Sequence, residues 1–158
     1  MVGFCYVTCY PSDYALMRRW QPPEAIMDKL FWKRYPADGI VILAIYSIGF
    51  LVGTCTHVLG LVLHGFLAYD APLLMNVYWD LLTLLDPLAI LLLWVRIKFG
   101  LALAIIIMVT DISINSYAYV QGVFGEPALG MIPMSLFLQS MFGLFVLATA
   151  PVLVNRLE

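Results

Sequence analysis

Asp80, Thr83 and Asp86 recur at i, i+3 and i+6 in the stretch Tyr78-Trp79-Asp80-Leu81-Leu82-Thr83-Leu84-Leu85-Asp86-Pro87, the opening half of a segment apolar enough to cross a bilayer. On a helix they share one broad face. Carboxyl groups inside a membrane span are costly, so two on one face mark a place where a proton, a cation or a hydrogen-bonding ligand can be held. Pro87 sharpens that place. It takes away the amide that would have bonded the Thr83 carbonyl and leaves this oxygen beside Asp86. Groups of the same chemistry lie in the other apolar stretches: His57 and His64 in the first, Asp111 and Asn115 in the third, Gln139 in the fourth. The two histidines fall on one helical stripe with Gly49, Gly53 and Gly60, beside Thr54 and Thr56, which predicts a face that another helix approaches closely.

These side chains need elements that hold them. The chain has 158 residues, 63% of them hydrophobic and only 11% charged, a balance that a water-soluble domain of this size could hardly keep soluble. Apolar segments at roughly 39–67, 74–95, 99–123 and 128–154 each exceed the ~20 residues of a spanning helix. The expectation is an all-α membrane protein, a four-transmembrane-helix bundle forming one domain over 38–158. The eight basic residues all fall on one side of that alternation. Arg18, Arg19, Lys29, Lys33 and Arg34 precede span 1, Arg96 and Lys98 lie between spans 2 and 3, and Arg156 follows span 4. The other two loops carry only Asp70 and Glu126. The positive-inside rule then puts both termini in the cytoplasm, in a plasma or inner membrane, or the endoplasmic reticulum of a eukaryote. Nothing in this pattern suggests nucleic acid. The expected partners are the lipid bilayer, a small ligand or cation, and a further membrane subunit or a second copy of the chain.

Residues 1–37 form a separate cytoplasmic or interfacial segment. Within Pro23 to Tyr35, Ile26, Met27, Leu30 and Phe31 share one side, Glu24 opens the first turn, and Lys33 and Arg34 close the last. That is an amphipathic helix lying on the membrane surface, anchored by Trp20, Trp32 and Tyr35, or alternatively a docking helix for a partner. The three cysteines, Cys5, Cys9 and Cys55, are an odd count with two on the reducing side, so no disulfide framework is indicated. No cleavable leader pattern precedes the first apolar run, which makes span 1 the expected targeting signal.

Counting about 1.5 Å of rise per residue, His57 and Asp86 both fall roughly 15 Å below the external surface, His64 about 5 Å and Asp80 about 6 Å. By the same count Asp111 falls near ~18 Å, Asn115 near ~12 Å and Gln139 near ~16 Å. Four helices thus bring polar groups to one layer, with His64 and Asp80 at its mouth and Trp79 and Tyr117 as walls. Burying charged groups separately would cost of order 3 kcal/mol each, whereas clustering lets them satisfy one another. Such a cluster permits a structural polar network, a proton or cation site, or a pocket for a small ligand in a binding or transport role. His57, Asp86 and Asp111 offer one nitrogen and two oxygens to a divalent metal, without any recognised ligand spacing. Both histidines on one helix cannot flank a haem iron, and no nucleophile elbow, phosphate loop or dinucleotide fingerprint is present. The sequence names no cofactor, and an enzyme moving a proton by a His and Asp pair stays open.

The run Asp70-Ala71-Pro72-Leu73-Leu74, followed by Trp79 and Asp86, resembles part of the EXPERA domain of sterol isomerases and sigma-2-type receptors over about residues 70 to 86. The resemblance implies four spans around an acid-lined pocket for a sterol or amine, with Asp70 and Asp86 as its carboxylates. The competing expectation is an accessory subunit whose polar layer only holds helices together or meets a partner.

Overall fold

The computed structural model describes residues 37–123 and 132–156. The helix expected at Pro23 to Tyr35, Cys5, Cys9 and Glu126 lie outside the described residues. Four helices follow in order: α1 (Ala37–His64), α2 (Leu73–Val95), α3 (Ile97–Val120) and α4 (Met134–Arg156). All four are long and apolar enough to cross a membrane. Runs of Leu, Ile and Val with few breakers leave the backbone to satisfy itself along the helix, the arrangement that hydrocarbon demands. The chain is an all-α four-helix bundle compatible with a multi-pass membrane protein. Each helix packs on its sequence neighbours, and α4 returns to α1.

The ends of the helices have local causes. α1 stops where Gly65 takes φ +88° and donates its amide to Leu61 O at 2.9 Å, a left-handed cap that a glycine adopts freely. Phe66 and Leu67, apolar enough to read as a continuation of span 1, are exposed in the connection instead. Asn76 holds that connection from the first turn of α2. Its Oδ1 accepts from Tyr69 N at 3.0 Å, and its Nδ2 donates to Tyr69 O at 2.9 Å and Ala71 O at 3.0 Å. Asp80 Oδ2 accepts from Leu67 N at 3.1 Å. Since Asn76 is buried and all three bonds depend on its amide, Asn76→Ala is expected to cost about 2 kcal/mol. It should also expose 65–72 to proteolysis in detergent; an unchanged melting temperature and cleavage rate would refute that role.

Arg96 alone joins α2 to α3, its N–H reaching Leu92 O at 2.8 Å while its carbonyl accepts from Phe99 and Gly100. A one-residue link forces the two helices to lie side by side from their first turn. α1 and α4 are clasped by Tyr46, whose hydroxyl donates to Val146 O at 2.7 Å and lies 2.9 Å from Thr149 Oγ1. Around it Tyr46 meets Phe142 and Phe145 edge to face, and Phe50 meets Phe142 the same way at 5.6 Å between centroids. Trp94 Nε1 donates to Ser47 Oγ at 3.0 Å between α1 and α2. With Leu43, Leu82, Ala89, Leu93, Leu101 and Ala104, these groups make the core, while exposed leucines, isoleucines and valines cover the outside.

Candidate functional site

Toward the end of the bundle that carries the 65–72 and 121–133 connections lies a cavity of about 720 Å³. α1 gives it Gly49, Gly53, Thr56 and His57, α2 gives Asp86, α3 gives Asp111 and Asn115, and α4 gives Ser135 and Gln139. Phe50, Met108, Leu136 and Phe142 make much of the remaining wall, so a largely apolar space faces a few polar groups. Such proportions and size suit a small ligand.

Three polar residues of the wall form a closed network. Asn115 Nδ2 donates to Asp111 Oδ1 at 3.0 Å and to Gln139 Oε1 at 3.0 Å, and Gln139 Nε2 donates to Asp111 Oδ2. Trp79, 5% exposed, donates its Nε1 to Asn115 Oδ1 at 2.9 Å. Because an indole nitrogen can only donate, this contact fixes which end of the Asn115 amide is oxygen, and the rest of the network follows. Trp79 is itself held by Tyr69, whose ring meets it edge to face at 5.0 Å.

Asp86 has a different environment. It is 3% exposed and lines the cavity, yet it accepts no hydrogen bond from any described residue. Gly53 makes its position possible, since a Cβ there would stand 2.5 Å from Asp86 Oδ2. Thr83, one turn before, buries a hydroxyl that has no partner among the described residues, next to the carbonyl that Pro87 leaves without an amide. Thr83 is not part of the cavity wall.

The chain matches no family model, no curated protein and no solved structure. The structure brings His57, Asp86, Asp111, Asn115 and Gln139 to one cavity and leaves out His64 and Asp80. His64 is exposed at the end of α1, and Asp80 is engaged with the Leu67 amide. Asp70, the second carboxylate implied by the EXPERA resemblance, is exposed in the connection, away from the cavity wall. Trp79 supports the network from behind, and Tyr117 is exposed, whereas Tyr119 is the tyrosine of the wall. No group of three or more His, Cys, Asp or Glu side chains is gathered closely enough for a metal ion among the described residues.

The expected pairing by depth also shifts. Asp86 lies against Gly53, one turn from His57, and the acid whose charge reaches His57 is Asp80. The glycine stripe of α1 likewise does not serve one partner helix: Gly49 faces the Phe142 ring of α4, Gly53 faces Asp86 of α2, and Gly60 faces the Tyr69 hydroxyl. Residue type alone does not single out Phe50, Met108, Tyr119 or Phe142 for the wall. A signal for Phe142 exists in its place one turn beyond Gln139, on the same face of α4.

Proposed function

We propose that this chain is a multi-pass membrane protein whose internal cavity binds a small ligand or cation, with Asp86 as the group that engages it. The observation that carries this reading is a carboxyl group 3% exposed, at the wall of a cavity of about 720 Å³, with no hydrogen-bond donor from any described residue. A buried polar group without a partner costs free energy that a protein ordinarily avoids, and a ligand that brings the missing donor or charge removes that cost. Both termini face the cytoplasm in this reading, since Arg96 and Lys98 sit at the α2–α3 turn and the remaining basic residues come before α1 or at the end of α4 in the sequence. Single cysteines at positions 70 and 126, in a chain otherwise cleared of Cys5, Cys9 and Cys55, should both label from outside; labelling of one alone would reject that topology.

Thermal-shift screening of the detergent-purified protein across amines, sterols and divalent ions tests the binding. A ligand of the folded state must raise its stability, by about 2.7 kcal/mol at a hundred times its Kd. A melting temperature unmoved by every compound favours the second reading, an accessory subunit that holds helices together. The observation behind that alternative is the network of Trp79, Asn115, Asp111 and Gln139, which satisfies itself without a ligand. Gly53→Ala separates the two. Its new methyl pushes the Asp86 carboxyl from its seat, so ligand affinity should fall at least tenfold while the melting temperature moves little, because the displaced group is the tip of one side chain. Unchanged affinity in a stable Gly53→Ala variant would remove Asp86 from the binding site.

A further inference from the structure

Two acids face one cavity in opposite states of satisfaction. Both oxygens of Asp111 accept from amide N–H groups, Asn115 Nδ2 on one and Gln139 Nε2 on the other, an arrangement that suits the ionised, acceptor-only form of a carboxyl. Asp86 has no donor at all among the described residues and stands close enough to Asp111 for their charges to interact. A second bare carboxylate there, 3% exposed at a largely apolar wall and beside the first, is the costliest state available to it. Two states relieve it. Either Asp86 carries a proton, or a cation in the cavity balances its charge, and the two exclude each other.

The wall decides the class of cation. A small divalent metal ion is ordinarily held by several charged ligands, and among the described residues no group of three or more His, Cys, Asp or Glu side chains is gathered for one. Phe50, Met108, Leu136 and Phe142 offer apolar and aromatic surface instead, which suits an organic cation whose charge is spread over carbon-bearing groups. We infer that the cavity takes a lipophilic organic monocation, a quaternary or protonated amine, in exchange for the proton held by Asp86. This rests on the ligand-binding reading above and adds the class of ligand and the proton count. The step balances: the protonated carboxyl of Asp86 and one quaternary ammonium ion give the Asp86 carboxylate paired with that ammonium, plus one free proton. Only the carboxyl O–H bond breaks, its electron pair stays on Asp86, and the proton leaves by the cavity to solvent.

The titratable groups around Asp86 are few among the described residues. α1 contributes His57, α3 contributes Asp111 and Tyr119, and α2 itself carries Tyr78 and Asp80 on its preceding turns. α4 contributes the neutral Ser135 and Gln139. His57 is the neighbour able to accept the proton on its way out, so the count has to be assigned by substitution.

The test uses the full chain in detergent, titrated calorimetrically with (3-phenylpropyl)trimethylammonium, whose charge is fixed at every pH, and with its uncharged carbon isostere. Repeating the titration in buffers of different ionisation enthalpy gives the protons released per cation bound. About one proton is expected at the acidic end, with Kd falling about tenfold per pH unit until Asp86 has lost its proton unaided. The neutral isostere should release none. Asp86→Asn should abolish the proton release and the pH dependence and bind the cation at least tenfold more weakly, while binding the isostere as the parent does. Asp86→Leu serves if the amide variant does not fold. Cation binding with a pH-independent Kd and no proton released overturns the exchange and leaves the pocket reading standing. Release that survives in Asp86→Asn overturns the assignment to Asp86. Failure of both cation and isostere to bind overturns the exchange and the pocket together.

Discussion

Asp86→Leu is expected to make the folded protein more stable, by about 1–3 kcal/mol, while abolishing the cation binding proposed for the cavity. The sign is unusual for the removal of a buried polar side chain. Ordinarily such a change strands the partners of the deleted group, and the penalty is theirs. Asp86 has no hydrogen-bonding partner among the described residues to strand. Its deletion removes an unsatisfied carboxyl from an apolar wall, relieves Asp111 of a neighbouring acid and lets a methyl-bearing side chain meet Phe50 and Met108 around the same cavity. Asp86→Asn, which keeps the shape but still buries polar atoms, should fall within about 1 kcal/mol of the parent. Unfolding of the three proteins in mixed micelles, followed by circular dichroism, orders them Leu above Asn and parent. A less stable Leu variant would mean that Asp86 serves as a structural tie, as in the accessory-subunit reading. Stability gained where function is lost is the usual mark of a site kept for what it binds.

Hydropathy carries the architecture well, and its errors are local. The expected spans at 74–95 and 99–123 differ from α2 and α3 by a few residues at any end. The apolar run of span 1 extends to 67 because of Phe66 and Leu67, but Gly65 with its positive φ has already turned the chain. The run of span 4 starts at 128, while α4 begins at Met134, immediately after Pro133, whose fixed φ suits the approach to a helix. The gathering of Asp111, Asn115 and Gln139 is legible from depth alone, since a count of residues locates a group along the membrane normal. Depth says nothing of rotation about the helix axis or of tilt, which packing sets. That is why Asp86 counts as level with His57 but rests against Gly53, and why Asp80, on the expected face, turns instead to the Leu67 amide. Least legible is the difference between the two deep acids. Spacing places a carboxamide one turn from Asp111, but that Gln139 also turns to Asp111, and no donor to Asp86, depends on contacts between helices.

Gly100→Ala is expected to be the most disruptive small change in the bundle, costing about 3 kcal/mol or more. A Cβ at this position would come to 2.6 Å from Leu92 C and from Leu93 Cα, and closer still to Leu93 N. These are backbone atoms of α2, which cannot rotate aside as a side chain can. The contrast is Gly143, where an added methyl meets chiefly the Cδ1 end of Ile112, so Gly143→Ala should be relieved by a change of rotamer and cost about 1 kcal/mol. At Gly100 the relief has to come from moving α2 away from α3, and the single linking residue, Arg96, leaves almost no length with which to do it. The consequence reaches the cavity, because α2 carries Asp86 and Trp79 while α3 carries Asp111 and Asn115. Any shift between the two helices stretches the bond from Trp79 Nε1 to Asn115 Oδ1 and moves Asp86 relative to the network. Gly100→Ala should therefore lower the unfolding midpoint and weaken binding of the quaternary cation by about tenfold in the fraction that remains folded, whereas Gly143→Ala should leave binding within about twofold of the parent. A Gly100→Ala protein as stable as the parent would show that the two helices can part at the Arg96 turn. Unchanged cation affinity in a destabilised Gly100→Ala protein would show that the cavity does not depend on how α2 seats against α3.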